Sequence, residues 1–125
     1  MGGKPKVLLV EDNADIRRLY AIGLNQRGYE VKLAANGAEA VDRVASERPD
    51  YILLDWLMPL MDGREVVECL DGQDGARDIE IIVISGQPAP NALPNRVRSW
   101  LTKPLTVDEL VTEMSRAHAV AAAAE

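Results

Sequence analysis

The stretch Tyr51-Ile52-Leu53-Leu54-Asp55-Trp56-Leu57-Met58-Pro59 constrains the fold more than any other part of the chain. Its first four residues form an apolar run that leads straight into a carboxylate. Such a run reads as a strand buried on both faces, as in a parallel sheet. Pro59 cannot extend a strand and marks the loop beyond it. Asp55 therefore falls at the carboxyl end of a central strand, the edge at which open α/β sheets bind their ligands. An aspartate in this place can also be the N-cap of the next helix. This stretch alone leaves both readings open.

A second short aliphatic run, Val7-Leu8-Leu9-Val10, ends in Glu11-Asp12 and repeats the pattern. Ile16, Tyr20 and Leu24 then recur at helical spacing, with Arg17 and Arg18 pointing away from that stripe, and Gly28 is a natural stop. Tyr29 to Ala34 alternates like an edge strand, with Tyr29, Val31 and Leu33 on one side. Asn36-Gly37 marks a turn, and Asn36 with Glu39 resembles a capping box. Val41, Val44 and Ala45 give the next helix an apolar face, which Pro49 ends. After the central strand, Asp62 and Glu65 form another candidate cap, followed by Val66, Val67 and Leu70 at helical spacing. Asp71 to Asp78 reads as a loop. Ile79 to Ile84 is a strand that delivers Ser85-Gly86. A short strand from Ser99 to Thr102 ends at Lys103-Pro104. Thr106 and Glu109 make a full capping box for a last helix that shows Leu110, Met114 and Ala117 on one face. The alanine-rich end from Ala119 is expected to fray. Strands and helices thus alternate, which predicts a flavodoxin-like, doubly wound α/β fold with five parallel strands in the order 2-1-3-4-5.

The chain has 125 residues, enough for one domain with an adequate core, and no disulfide or metal staple is needed. Its net charge is −6, a poor match for nucleic acid or for a membrane surface. Cys69 is the only cysteine, which excludes an internal disulfide and fits a reducing cytoplasm. The N-terminus lacks the apolar stretch of a signal peptide. No apolar run reaches the ~20 residues of a membrane span. His118 and the scattered methionines call for no special role.

In a parallel sheet all the strand ends lie on one side. The ends here carry Glu11 and Asp12, then Asp55, then Ser85, then Lys103. Clustered carboxylates repel one another unless a cation sits among them. Oxygen ligands favour Mg²⁺. A hydroxyl and a lysine beside that cation suit an incoming anion. Together these groups make a site for phosphoryl transfer onto an aspartate.

Five pieces in this order and spacing resemble the receiver domains of bacterial two-component response regulators. They are Val-Glu-Asp (10–12), Leu-Asp-Trp-Leu-Met-Pro (54–59), Met-Asp-Gly (61–63), Ile-Ser-Gly (84–86) and Leu-Thr-Lys-Pro (101–104). The resemblance covers roughly Lys6 to Ala117, so the 125 residues read as a single receiver, with none left for an attached output domain. It implies that Asp55 takes the phosphoryl group. It implies that Glu11, Asp12, Asp55 and the backbone carbonyl of Leu57 hold Mg²⁺. Ser85 and Lys103 would bind phosphoryl oxygens, Ser85 and Trp100 would form the switch, and the bond before Pro104 is usually cis. The implied donor is a sensor histidine kinase or a histidine phosphotransfer protein, and the output is altered binding of a downstream protein. The chain would be a phospho-acceptor with self-catalysed phosphorylation and dephosphorylation, not a turnover enzyme.

Plainer readings exist for single residues: a solvated loop and helix cap for Glu11 and Asp12, a turn residue for Ser85, a surface lysine for Lys103, core for Trp100. Two rival functions also stand beside the receiver. A Mg²⁺-dependent aspartyl-phosphate hydrolase would carry a second acid two residues after the nucleophile, where this chain has Leu57. A degenerate receiver acting only as a binding module fits poorly with an intact set of acids, serine and lysine.

Two departures from the family are expected to matter. Ser85 to Lys103 spans 18 positions, about four fewer than a typical receiver, which is near one helical turn. Pro88, Pro90 and Pro94 fall in that interval, so the helix between the last two strands should be short, irregular or missing. The partner-binding face built on that helix should differ accordingly. In this family, the side chains two positions after the aspartate and two after the hydroxyl flank the path of the hydrolytic water. Here they are Leu57 and Gln87, and Leu57 is expected to exclude water and prolong the phosphorylated state.

Overall fold

The computed structural model describes residues 3–73, 76 and 78–123, with side chains described up to residue 117. Five strands form one parallel sheet in the order β2-β1-β3-β4-β5. They are β1 (Lys6–Val10), β2 (Glu30–Ala34), β3 (Tyr51–Asp55), β4 (Glu80–Ser85) and β5 (Val97–Thr102). Four helices alternate with them: α1 (Ala14–Gln26), α2 (Gly37–Glu47), α3 (Gly63–Asp71) and α4 (Val107–Ala123). Helical backbone thus continues into the alanine-rich end that was expected to fray, and residues 124 and 125 lie outside the described residues.

The sheet is covered on both faces because its central strands are apolar on both. Val7, Leu9, Leu53, Ile82 and Ile84 face α1 and α4, where Leu24, Leu110 and Met114 are buried. Leu8, Val10, Ile52, Leu54, Ile81 and Val83 face α2 and α3, where Val44, Val66 and Leu70 are buried. Every residue of β3 is buried, Asp55 included.

The caps fall where the polar residues predict. The side chain of Asn13 accepts from the Ile16 amide, and Asp62 with Glu65 forms a reciprocal capping box. Thr106 and Glu109 do the same for α4. Asn36 accepts from the Glu39 amide, but the Glu39 carboxylate takes the amide of Ala35 in place of that of Asn36, so this box is offset by one residue.

One detail of the sequence pattern is corrected and one is refined. Ala45 is exposed and Ala40 takes its place in the α2 face. Leu33 is exposed while Tyr29 is buried and Val31 half-buried, because β2 is an edge strand with pairing only to β1.

The crossover between β4 and β5 holds no helix at all over residues 86–96. Pro88, Pro90 and Pro94 lack the amides that a helical ladder needs and disfavour helical backbone in the residues before them. The segment is fastened near its ends by long side chains. The Trp100 indole Nε1–H donates to the Gln87 carbonyl at 3.0 Å. Arg96 has a left-handed backbone (φ 74°), and its guanidinium donates to the Ala76 carbonyl at 2.6 Å. It also reaches the Asp71 carboxylate at 3.5 Å.

Candidate functional site

Parallel pairing brings the ends of β1, β3, β4 and β5 to one edge. Val10 pairs with Leu54, Asp55 with Ile84, and Ser85 with Thr102. The next residue after each of β1 and β5 is therefore carried to the rim around Asp55: Glu11 on one side and Lys103 on the other. The Lys103 amide donates to the Ser85 carbonyl at 2.7 Å and fixes the last step.

Oxygens of Glu11, Asp12 and Asp55 lie within 4.8 Å of one another. Glu11 is 1% exposed and Asp55 5%, while Asp12 faces solvent. The Lys103 ammonium sits at 2.8 Å from Glu11 and 3.6 Å from Asp55. Burial, with the nearby charge of Glu11, pushes the Asp55 carboxyl up to about 7, against the opposing pull of Lys103. Burial by itself would lower the Lys103 ammonium, but its bond to Glu11 and the charge of Asp55 outweigh that, and its pKa is raised. The site thus sets one ammonium, Lys103, against two buried carboxyl groups, Glu11 and Asp55. All three donor groups are carboxylates, a set that suits a hard divalent cation such as Mg²⁺.

Ser85 is fully buried, and its Oγ accepts from the Gln87 amide at 3.1 Å. Gln87 bonds through its backbone, to Ser85 on one side and to the Trp100 indole on the other. Trp100 is half-buried and lies outside the acid cluster, on the α2/α3 side, where its ring centroid is 5.2 Å from that of Trp56. Leu57 is 53% exposed, just past the strand. The Lys103–Pro104 peptide bond is cis.

The loop from Asp55 to α3 is shaped by Trp56, which is buried although it lies beyond the end of the strand. Gly63 donates its amide to the Trp56 carbonyl at 2.9 Å. A Cβ at Gly63 would stand 2.5 Å from Trp56 Cε3, so only glycine lets this ring lie against the start of α3. The Arg64 guanidinium lies 5.7 Å from the centre of the same ring.

Several residues at the site carry contacts that the sequence pattern did not reveal. Arg17 does not simply point away from its helix stripe: its Nη1 donates to the Glu11 carbonyl at 2.7 Å. The Tyr20 hydroxyl donates to the Leu105 carbonyl at 3.2 Å, across to the loop that follows Lys103. One signal was there to find. A tyrosine on a buried stripe brings a hydroxyl that needs a partner.

A family model described as the response regulator receiver domain matches residues 7–115. A curated relative, Response regulator MprA of Mycobacterium tuberculosis, is 34% identical over 113 residues, 87% of this chain and 48% of that protein. The chain therefore spans about half the length of the curated relatives it matches. Chemotaxis protein CheY4 of Vibrio cholerae has a similar structure, with a TM-score of 0.81 at 30% identity, covering 91% of this chain and 98% of that one. So does the receiver domain of sensor histidine kinase PA1611 from Pseudomonas aeruginosa, with a TM-score of 0.78 at 30% identity over 92% of this chain and 97% of that one. That structure has a magnesium ion coordinated in its active site cleft. Among the described residues no helix is long and apolar enough to cross a membrane. Motif order, sheet topology and family match agree: the chain belongs to the response regulator receiver domains, with the CheY-like fold of phosphorylation-based signalling switches.

Proposed function

We propose that the chain is a single receiver, with its core at about Lys6 to Ala117, and that Asp55 is its phosphoryl acceptor. The donor is a phosphohistidine on a sensor histidine kinase or a histidine phosphotransfer protein, and the reaction takes place in the cytoplasm. The observation that carries this reading is the convergence of two further carboxylates, Glu11 and Asp12, and one ammonium, Lys103, on Asp55.

An oxygen of Asp55 attacks phosphorus, the phosphorus–nitrogen bond breaks, and imidazole leaves with its electron pair. Asp55 must be ionised to attack, yet burial favours its protonated form. A Mg²⁺ ion held by Glu11, Asp12, Asp55 and the Leu57 carbonyl would supply the charge that favours the ionised form and offsets the transferring phosphoryl group. The magnesium in the PA1611 receiver supports this assignment. Lys103 turns from Glu11 toward the phosphoryl oxygens. Ser85, whose oxygen accepts from Gln87, donates its own proton to one of those oxygens. Trp100 fills the space that Ser85 leaves, and the two-state equilibrium shifts toward the form that a downstream protein binds differently. The chain is modified and reset in each cycle, so it is a self-modifying substrate more than a turnover enzyme.

Acetyl phosphate with Mg²⁺ is expected to label the protein once, at Asp55, and chelation or Asp55→Asn is expected to abolish the label in intact-mass spectra. A label that persists at full level in Asp55→Asn overturns the assignment. Leu57 shields the acyl phosphate from in-line water, so Leu57→Asn should speed phosphate release by roughly tenfold, a change of about 1.4 kcal/mol in the barrier. Equal decay of parent and variant would remove that role.

A further inference from the structure

Lys103 is held on one side only by the sheet. Its amide bonds to Ser85, but the chain then leaves β5 through Pro104, which has no amide to donate. Regular structure resumes at the Thr106 cap of α4. Beneath this short stretch lies an open groove of about 360 Å³ between Ile16 and Leu19 of α1 and Pro104 and Leu105. One polar contact spans it, from the Tyr20 hydroxyl to the Leu105 carbonyl at 3.2 Å. Tyr20 is 7% exposed, and burial raises its pKa, so the hydroxyl keeps the proton that makes the bond.

The same helix reaches the opposite wall of the site. Arg17, one turn before Tyr20, donates to the Glu11 carbonyl at 2.7 Å. Lys103 and Glu11 face each other across 2.8 Å. Helix α1 is thus a bracket with one side chain on the acid that pairs with the lysine and another on the loop that carries the lysine.

We infer that Tyr20 is a positioning residue for Lys103: its hydroxyl fixes the loop after β5 so that the ammonium stands between Glu11 and Asp55 before a phosphoryl donor arrives. The inference rests on the phospho-acceptor reading for its kinetic consequence, and on geometry alone for its effect on the lysine. Tyr20→Phe removes one oxygen and keeps the ring in its packing. Leu105 is only half-buried, so water can take the place of the lost hydroxyl and the fold should persist.

The test is a double-mutant cycle on the rate of Asp55 labelling by acetyl phosphate with Mg²⁺. Tyr20→Phe is expected to slow labelling roughly fivefold in the parent, about 1 kcal/mol by the tenfold-per-1.36 rule. In a Lys103→Ala background the same change should have no further effect. An equal slowing in both backgrounds, or none in the parent, overturns the inference. Tyr20→Leu, which also lacks the hydroxyl, must reproduce the result. A second measurement needs no phosphoryl donor: ¹³Cε relaxation of Lys103 at neutral pH. The lysine tip should be ordered in the parent and markedly looser in Tyr20→Phe. If the parent never takes label, the phospho-acceptor reading fails while this arm still decides the role of Tyr20. Unchanged order in the variant overturns it.

Discussion

The two crossovers that leave the centre of the sheet on the α2/α3 side are built in opposite ways. Between β3 and β4 the chain runs through α3, with a capping box at its start and Gly63 packed under Trp56. Between β4 and β5 it runs through residues 86–96 with no helix, fastened by the Trp100 indole and the Arg96 guanidinium. The first satisfies its backbone internally and buries an apolar stripe. The second leaves most of its residues exposed and depends on two side chains, its own Arg96 and Trp100 from the strand beyond it. A helix opens as a cooperative unit against packing. A strap held chiefly by two long side chains can be loosened by moving either one. The end of the strap nearer the site is tied to Gln87, whose amide also holds the Ser85 hydroxyl. A change at Ser85 therefore reaches the strap within one peptide unit.

The largest expected effect lies where the two crossovers begin, at the buried ends of β3 and β4. Asp55 has a raised pKa in the folded chain, so the folded state holds its proton more tightly than the unfolded state does. Its contribution to stability is full below the unfolded value near 4 and is lost as pH rises through about 7. In metal-free protein at pH 8, Asp55→Asn should thus stabilise the fold by roughly 2–4 kcal/mol, and by almost nothing near pH 4. Urea unfolding at the two pH values, with chelator present, checks both numbers. A gain at pH 4 as large as at pH 8 would break the link to charge.

The next effect separates the crossovers directly. Gly63→Ala pushes a methyl into Trp56 and should cost roughly 1–3 kcal/mol. Gly86→Ala meets nothing within 4 Å and should stay within about 0.5 kcal/mol. Equal costs would mean that the two segments are packed alike.

The smallest effects belong to the ties of the strap. Arg96→Ala removes a charged donor from the Ala76 carbonyl and should cost roughly 1–2 kcal/mol. Trp100→Phe loses one bond to an exposed carbonyl and should cost about 0.5 kcal/mol. Both should speed amide exchange in residues 86–96 while α3 stays protected. Uniform acceleration across α3 and the strap would show that they open together.

The strands and their order were legible because buried parallel strands read as short apolar runs, and Val7–Val10, Ile52–Leu54 and Ile81–Ile84 are such runs. Glu11, Asp55, Ser85 and Lys103 were legible because each directly ends or follows a strand, so topology alone gathers them. The missing helix was legible from proline spacing. The ties made by Arg17, Tyr20 and Arg96 were not, because a long side chain reaching a backbone carbonyl leaves no periodic trace in sequence. Ala45 was misplaced, and the exposure of Leu33 was missed, for a related reason. A pattern gives the face of an element but not how far its neighbours cover that face.

The contact between Trp56 and Trp100 has an optical consequence. These are the only tryptophans in the chain, and their rings lie 5.2 Å apart at 54°. Two indoles so close and so inclined couple their transition dipoles, which splits the far-ultraviolet circular dichroism band into a positive and negative pair. One chromophore follows Asp55 directly and the other, in β5, ties down the strap. The protein thus contains a built-in ruler between its acceptor and its helix-free crossover, readable in dilute solution without any added dye. Phosphorylation that draws Trp100 away from Trp56 should collapse the couplet, and either single-tryptophan variant should lack it from the start.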